Sequence, residues 1–203
     1  MGEINTIVFD IGNVLVDFRW EEYLRDCNYD EDVIGKVSNA TVMNKLWKKW
    51  DRGDIDEAEM IEQCCLLEPS VELEIRKFFA DILKVVREYN YSADFIQGLK
   101  KNNYKVYLLS NYAETHFELD KEYFKFINYV DGGVISYEIG CIKPEAKIYK
   151  TLIEKYNINP SEAVFLDDLP ENLKGAKPFG FHTIQVKSYE QMLLDLRELG
   201  VRV

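Results

Sequence analysis

The chain has 203 residues and a formal net charge of −11, from 36 acidic against 25 basic residues. That surplus argues against a general binder of nucleic acid or of anionic membranes, whose affinity comes from neutralising phosphate. A small phosphate ester stays admissible, because a local positive site can sit on an acidic protein.

A chain of this length can bury a core without disulfides or a structural metal. Cys27, Cys64, Cys65 and Cys141 have no C-x-x-C spacing, and neither a leader nor an apolar run of membrane-spanning length is apparent. A reducing, cytoplasmic compartment is therefore expected.

Ile4 to Phe9 is a short apolar run rich in β-branched residues that ends at Asp10 and Gly12, a buried strand entering a tight turn. From about Asp17 to Tyr91 the texture is helical. Val42, Leu46 and Trp50 recur at i, i+4 and i+8, Asp54-Ile55-Asp56-Glu57 reads as an N-cap with an acid three residues on that opens a helix from Glu57 to Leu67, and Val71 to Arg87 repeats apolar residues at helical spacing. After Tyr91, strands and helices alternate. Strands are predicted at Lys105–Leu109, Gly132–Ile135, Ala163–Leu166 and Thr183–Val186, with helices at about 95–101, 112–126, 144–156, 169–179 and 189–199. Apolar strands alternating with helices imply a parallel α/β sheet covered on both faces. The expected division is a core of residues 1–16 and 92–203 with a helical insertion over 17–91.

Three of these strands end in polar residues: Asp10, Ser110-Asn111 and Asp167-Asp168. Open parallel sheets bind ligands at the carboxyl ends of their strands, so stretches far apart in sequence are expected to meet at one edge. Three carboxylates in one cleft repel one another unless a cation joins them. Mg²⁺, which is hard and oxygen-seeking, fits that role.

Phe9 to Leu15, Leu108 to Asn111, Ile142-Lys143-Pro144 and Phe165 to Asp168 resemble, in order and spacing, the four motifs of the haloacid dehalogenase superfamily of hydrolases. The helical insertion is similar to that family's small cap. The first motif and Lys143 to Ala146 look most like the branch that includes a bacterial α-glucose-1-phosphate phosphatase. The resemblance implies a Rossmann-like, doubly wound parallel sheet with an inserted helical-bundle cap, and a Mg²⁺-dependent phosphatase acting on a small phosphorylated metabolite. It implies that Asp10 is a nucleophile forming an aspartyl-phosphate. Ser110 and the backbone N–H of Asn111 would hold phosphoryl oxygens, and Lys143 would neutralise Asp10 and the transferred group. Mg²⁺ would be held by Asp10, the carbonyl of Gly12 and Asp168, with Asp167 nearby or bridged to it through water. A monomer or weak homodimer is expected, with sugar phosphates such as a hexose 1-phosphate as leading substrates.

The chain departs from the family at Gly12, where most of its phosphatases carry a second acid that protonates the leaving group. Such a group is worth ~10²–10⁴ in rate. Either the leaving group departs with little help, or another residue or water stands in, or hydrolysis has been lost. Further candidates for substrate contact are His116, six residues after Ser110, Arg19 just after the first motif, and Trp47 and Arg52 on a cap helix. The helical spacing of the tryptophans also suits a cap core. A metal-independent 2-haloacid dehalogenase and a non-enzymatic phosphate-ligand binding protein are the competing readings. Dehalogenases do not usually carry the paired acids Asp167-Asp168, because they bind no metal.

Overall fold

A computed structural model describes residues 3–203; Met1 and Gly2, the start of the expected core segment, lie outside the described residues. Strand β1 (Thr6–Phe9) is buried at every position. It is followed by a turn in which the amides of Leu15 and Val16 both reach back to the carbonyl of Ile11. Short strand β2 (Val16–Phe18) then leads into helices α1 (Trp20–Asp26), α2 (Glu31–Ala40), α3 (Lys45–Arg52), α4 (Glu57–Leu67) and α5 (Glu72–Ala80). Strand β3 (Val86–Glu88) returns antiparallel to β2. There follow α6 (Ser92–Lys101), β4 (Lys105–Ser110), α7 (Glu114–Asp120), β5 (Gly132–Ile135), α8 (Ser136–Ile139) and α9 (Ala146–Tyr156). The chain ends with β6 (Ala163–Asp167), α10 (Pro170–Ala176), β7 (His182–Gln185) and α11 (Tyr189–Glu198).

Five strands form a parallel sheet in the order β5-β4-β1-β6-β7. The chain builds outward from β1 on one side through β4 and β5, then returns to build β6 and β7 on the other. β1 therefore lies at the topological switch point, where open α/β sheets leave a crevice for ligand. The pleat divides the core. Phe9, Leu108 and Leu166 pack with Ile96, Met192 and Leu196 of α6 and α11. Val8, Leu109 and Phe165 pack with Ile148, Leu152 and Leu173 of α9 and α10.

The helices between β2 and β3 have a cluster of their own, with Leu24, Val37, Trp50, Met60, Ile75 and Phe78 buried together. Asp56 caps α4 by accepting from the amide of Glu59 at 2.8 Å. Trp50 is in edge contact with Trp47 and Phe79. Trp50→Ala is expected to destabilise the protein by about 3–5 kcal/mol, measured by urea unfolding.

The helix expected over Val71 to Arg87 stops at Ala80. Asp81 there accepts from Tyr23 at 2.7 Å and from Lys77 and Lys84 at 2.6 and 2.8 Å, fixing a turn. The β-branched pair Val85-Val86 then feeds a strand rather than a helix. The helix expected over 112–126 is likewise confined to α7 and gives way to a 3₁₀ turn at Lys125–Tyr129. Among the described residues, no helix is long and apolar enough to cross a membrane.

Candidate active site

The carboxyl ends of β1, β4 and β6 converge as the sequence predicts. Asp10 follows β1 and its amide donates to the carbonyl of Leu166, which locks the residue to the neighbouring strand. Its Oδ1 accepts from the Ile11 amide at 2.7 Å and from Ser110 Oγ at 2.7 Å, and lies 2.8 Å from Lys143 Nζ. Ser110 is the last residue of β4 and α7 starts only at Glu114, so Ser110 caps no helix.

Lys143 is 2 % exposed. Its ammonium bridges Asp10 and Asp167 Oδ2, the latter at 2.6 Å. Two devices place it. The Asn111 side chain accepts from the Lys143 amide at 2.7 Å and donates to its carbonyl at 3.1 Å. Beyond Lys143, Pro144 packs directly on α10 at Gly175, where an added Cβ would sit 2.9 Å from both the Pro144 Cβ and its carbonyl oxygen. Only glycine permits that approach.

Asp167 is fully buried, and donors surround it. Oδ1 accepts from the Leu169 amide at 2.8 Å and from Asn172 Nδ2 at 3.0 Å, while Oδ2 faces Lys143. Asp168 is half-buried and Oδ2 accepts from Asn13 Nδ2 at 3.0 Å. Asn13 adopts a left-handed conformation, φ 54°, that asparagine tolerates. Oxygens of Asp10, Asp167 and Asp168 lie within 4.8 Å of one another.

Three acids against one lysine leave net negative charge in a partly desolvated place. Asp10 is pushed up to about 7: burial raises it most, Lys143 pulls it down, and Asp167 and Asp168 add to the rise. Burial also raises Asp168. Burial works against the charge on Lys143 too, but Asp10 and Asp167 hold its pKa above the usual lysine value. A hard divalent cation among these oxygens relieves the excess, so the donor set fits Mg²⁺.

Asp10, Ser110, Lys143 and Asp168 line a cavity of about 490 Å³, with Val42, Met43, Trp47, Lys48 and Asp51 of the inserted segment lining it as well; Asp167 lies behind them, fully buried. Gly12, Asn111 and His116 also line the cavity. His116 is buried, stacked on Trp50 and edge-on to Tyr112. Its Nε2 lies 2.9 Å from Asp120 but is not aligned for a hydrogen bond.

Two expected substrate contacts are corrected. Arg19 lies outside the cavity lining, its guanidinium bound to Asp26 and to the Lys84 carbonyl. Arg52 also lies outside, forming a two-pronged pair with Glu145 of the core. The side chain of Asn111 is committed to Lys143, which leaves its backbone as the part available to a ligand. The sequence reading missed Asn13 and Asp51. The αL-tolerant residue type at Asn13 was a usable signal; Asp51, one acid on a charged helix, gave none.

A parallel sheet with a strand-end aspartate, serine, lysine and paired acids beneath helical insertions defines a hydrolase of one superfamily. The haloacid dehalogenase-like hydrolase family matches residues 4–180, and the chain belongs to it. It is 28% identical over 196 residues to the D-ribitol-5-phosphate phosphatase of Bacteroides thetaiotaomicron, covering 90% of this chain and 91% of that protein. It is 24% identical over 217 residues to the mouse acyl-CoA dehydrogenase family member 10, covering 95% of this chain but spanning only 19% of that protein's length. A solved HAD family enzyme of Bacteroides thetaiotaomicron, in complex with magnesium and inorganic phosphate, matches with a TM-score of 0.70 at 25% identity, over 92% of this chain and 96% of that one.

Proposed function

We propose that the protein is a Mg²⁺-dependent phosphatase for small phosphate monoesters, with sugar and sugar-alcohol phosphates, a hexose 1-phosphate among them, as the leading class. One observation carries the reading: Asp10, buried at the floor of the cavity, meets the Ser110 hydroxyl and the Lys143 ammonium at 2.7 and 2.8 Å beside Asp167 and Asp168. The D-ribitol-5-phosphate phosphatase relative and the magnesium and phosphate bound in a structural neighbour support it.

Asp10 Oδ attacks phosphorus, and the ester oxygen leaves with its bonding pair. Ser110 Oγ and the backbone N–H of Asn111 hold phosphoryl oxygens, and Lys143 stabilises charge that spreads over them in the transition state. Water then attacks the phosphorylated carboxylate and releases phosphate. Mg²⁺ would be held by Asp10, the Gly12 carbonyl and Asp168, and when bound it neutralises phosphoryl charge as a Lewis acid. Asp167, its oxygens already taken by donors, orients Lys143 and Asn172 instead. His116 and Trp47 bound the space for the leaving group. A cytoplasmic monomer or weak homodimer acting on a soluble metabolite completes the reading, supported by unpaired Cys27, Cys64, Cys65 and Cys141, three of which are buried.

The test is phosphate release from a panel of esters with Mg²⁺ and with EDTA. Metal-dependent release is expected. Chloride release from a 2-haloacid in EDTA, without phosphatase activity, overturns the reading in favour of a dehalogenase. Esters that bind but never turn over would point to a binding protein. In the same buffers Mg²⁺ is expected to raise Tm, and Asp168→Ala to remove that rise, measured by differential scanning fluorimetry.

A further inference from the structure

Gly12 leaves the first motif without its proton donor, and the cavity supplies another acid. We infer that Asp51, carried on α3 into the cavity that holds Asp10, protonates the leaving oxygen and then activates the hydrolytic water. The inference rests on the phosphatase reading above.

Four contacts fix the end of α3 on the core. Trp50 stacks on His116 at 6.0 Å between ring centroids. The Ser136 hydroxyl, itself accepting from the Tyr112 amide, donates to the Asp51 carbonyl. Arg52 Nη1 donates to Glu145 at 3.0 Å. Gly53, left-handed at φ 80°, lies against Tyr137, with an ideal Cβ only 3.4 Å from the Tyr137 carbonyl. The main chain of Asp51 is thus held by the core, and the residue lines the cavity that Asp10, Ser110, Lys143 and Asp168 also line. Among the described residues, no donor or cation is bound to its carboxyl group.

The groups that act on Asp51 are Asp10 after β1, Lys143 before α9 and Lys48 on α3; Lys45, Tyr112, His116 and Asp168 also line the cavity. Burial and, to a lesser degree, Asp10 push Asp51 up to about 7, against Lys143 and Lys48. A carboxyl group so placed holds a proton near neutrality. His116 also lines the cavity, with its Nε2 2.9 Å from Asp120.

The steps balance. The Asp10 oxygen bonds to phosphorus as the ester P–O bond breaks, and the departing oxygen takes the Asp51 proton, giving alcohol and an Asp51 carboxylate. Water then bonds to phosphorus and gives its proton to Asp51 as the Asp10–phosphorus bond breaks, restoring both acids and releasing phosphate.

Rapid-quench kinetics with Asp51→Asn test this, using p-nitrophenyl phosphate and the best alkyl ester from the panel. With the aryl ester, whose leaving group needs no proton, a burst of p-nitrophenol is expected at a rate within about tenfold of wild type. Labelled phosphoenzyme then accumulates, because its hydrolysis lacks a base. With the alkyl ester the first step should slow ~10²–10⁴-fold, and the fall in wild-type rate at alkaline pH should vanish. Equal slowing of both first steps, or no phosphoenzyme accumulation, overturns the inference. Vanadate affinity, read by calorimetry, should be unchanged; its loss together with both bursts assigns Asp51 a structural role and also overturns it. Gly12→Asp in the Asp51→Asn background should restore alkyl-ester turnover, since a Cβ at Gly12 meets nothing within 4 Å; a double variant that binds vanadate without recovery counts against it. A wild-type enzyme inert on every ester sinks the phosphatase reading instead.

Discussion

Asp10→Asn should reduce phosphate release by roughly 10⁴-fold or more, as loss of a covalent nucleophile does. An amide is nearly the size of a carboxylate, so the fold should survive. The Ile11 amide and the Ser110 hydroxyl, 2.7 Å away, can still bond to the side-chain oxygen. Removing one buried charge also relieves the crowding with Asp167 and Asp168 that helps push Asp10 up to about 7. The variant should therefore unfold at a Tm no lower than that of the metal-free wild type at neutral pH, while losing turnover and the ability to take up label from substrate. Full turnover by Asp10→Asn would falsify the covalent route.

Lys143→Met should damage both activity and stability. Its ammonium is the positive group on the transferred phosphoryl, and loss of one such contact costs about 10²–10³ in rate. It also stands between two buried carboxylates, at 2.8 and 2.6 Å, and removing one partner of a buried pair costs about 3–5 kcal/mol. The sign of the pH dependence follows from Asp10. Its folded pKa lies above the unfolded value of 3.8, so the folded state binds the extra proton and stability falls as pH rises from 3.8 to about 7. Without Lys143 that window extends upward. The difference between wild type and Lys143→Met should thus be larger at pH 8 than at pH 5, measured by urea unfolding without metal.

Much of this arrangement is legible in the sequence because it depends on local rules. Apolar strands that end in polar residues announce both the parallel sheet and its functional edge, and Asp10, Ser110, Lys143 and Asp167-Asp168 meet there. The hairpin of β2 with β3 is less legible. Val85-Val86 continues a helical spacing, and only its pairing with Val16–Phe18, some seventy residues earlier, selects the strand. Arg19 and Arg52 failed as substrate contacts for a related reason: an arginine takes the nearest carboxylate, and Asp26 and Glu145 become neighbours only in the fold. Asp51 was hidden because nothing in Lys-Lys-Trp-Asp-Arg says which side of α3 faces the sheet.

The central position of β1 has a consequence for how motion is shared across the molecule. Its amides and carbonyls are bonded on both sides, to β4 and β6, so its amides should exchange with deuterium only through global unfolding. The attacking oxygen is thereby anchored to the middle of the sheet, while the wall that shapes the leaving group is carried by a separate set of helices. Changes among the inserted helices can then retune which alcohol is released without disturbing the aim of Asp10.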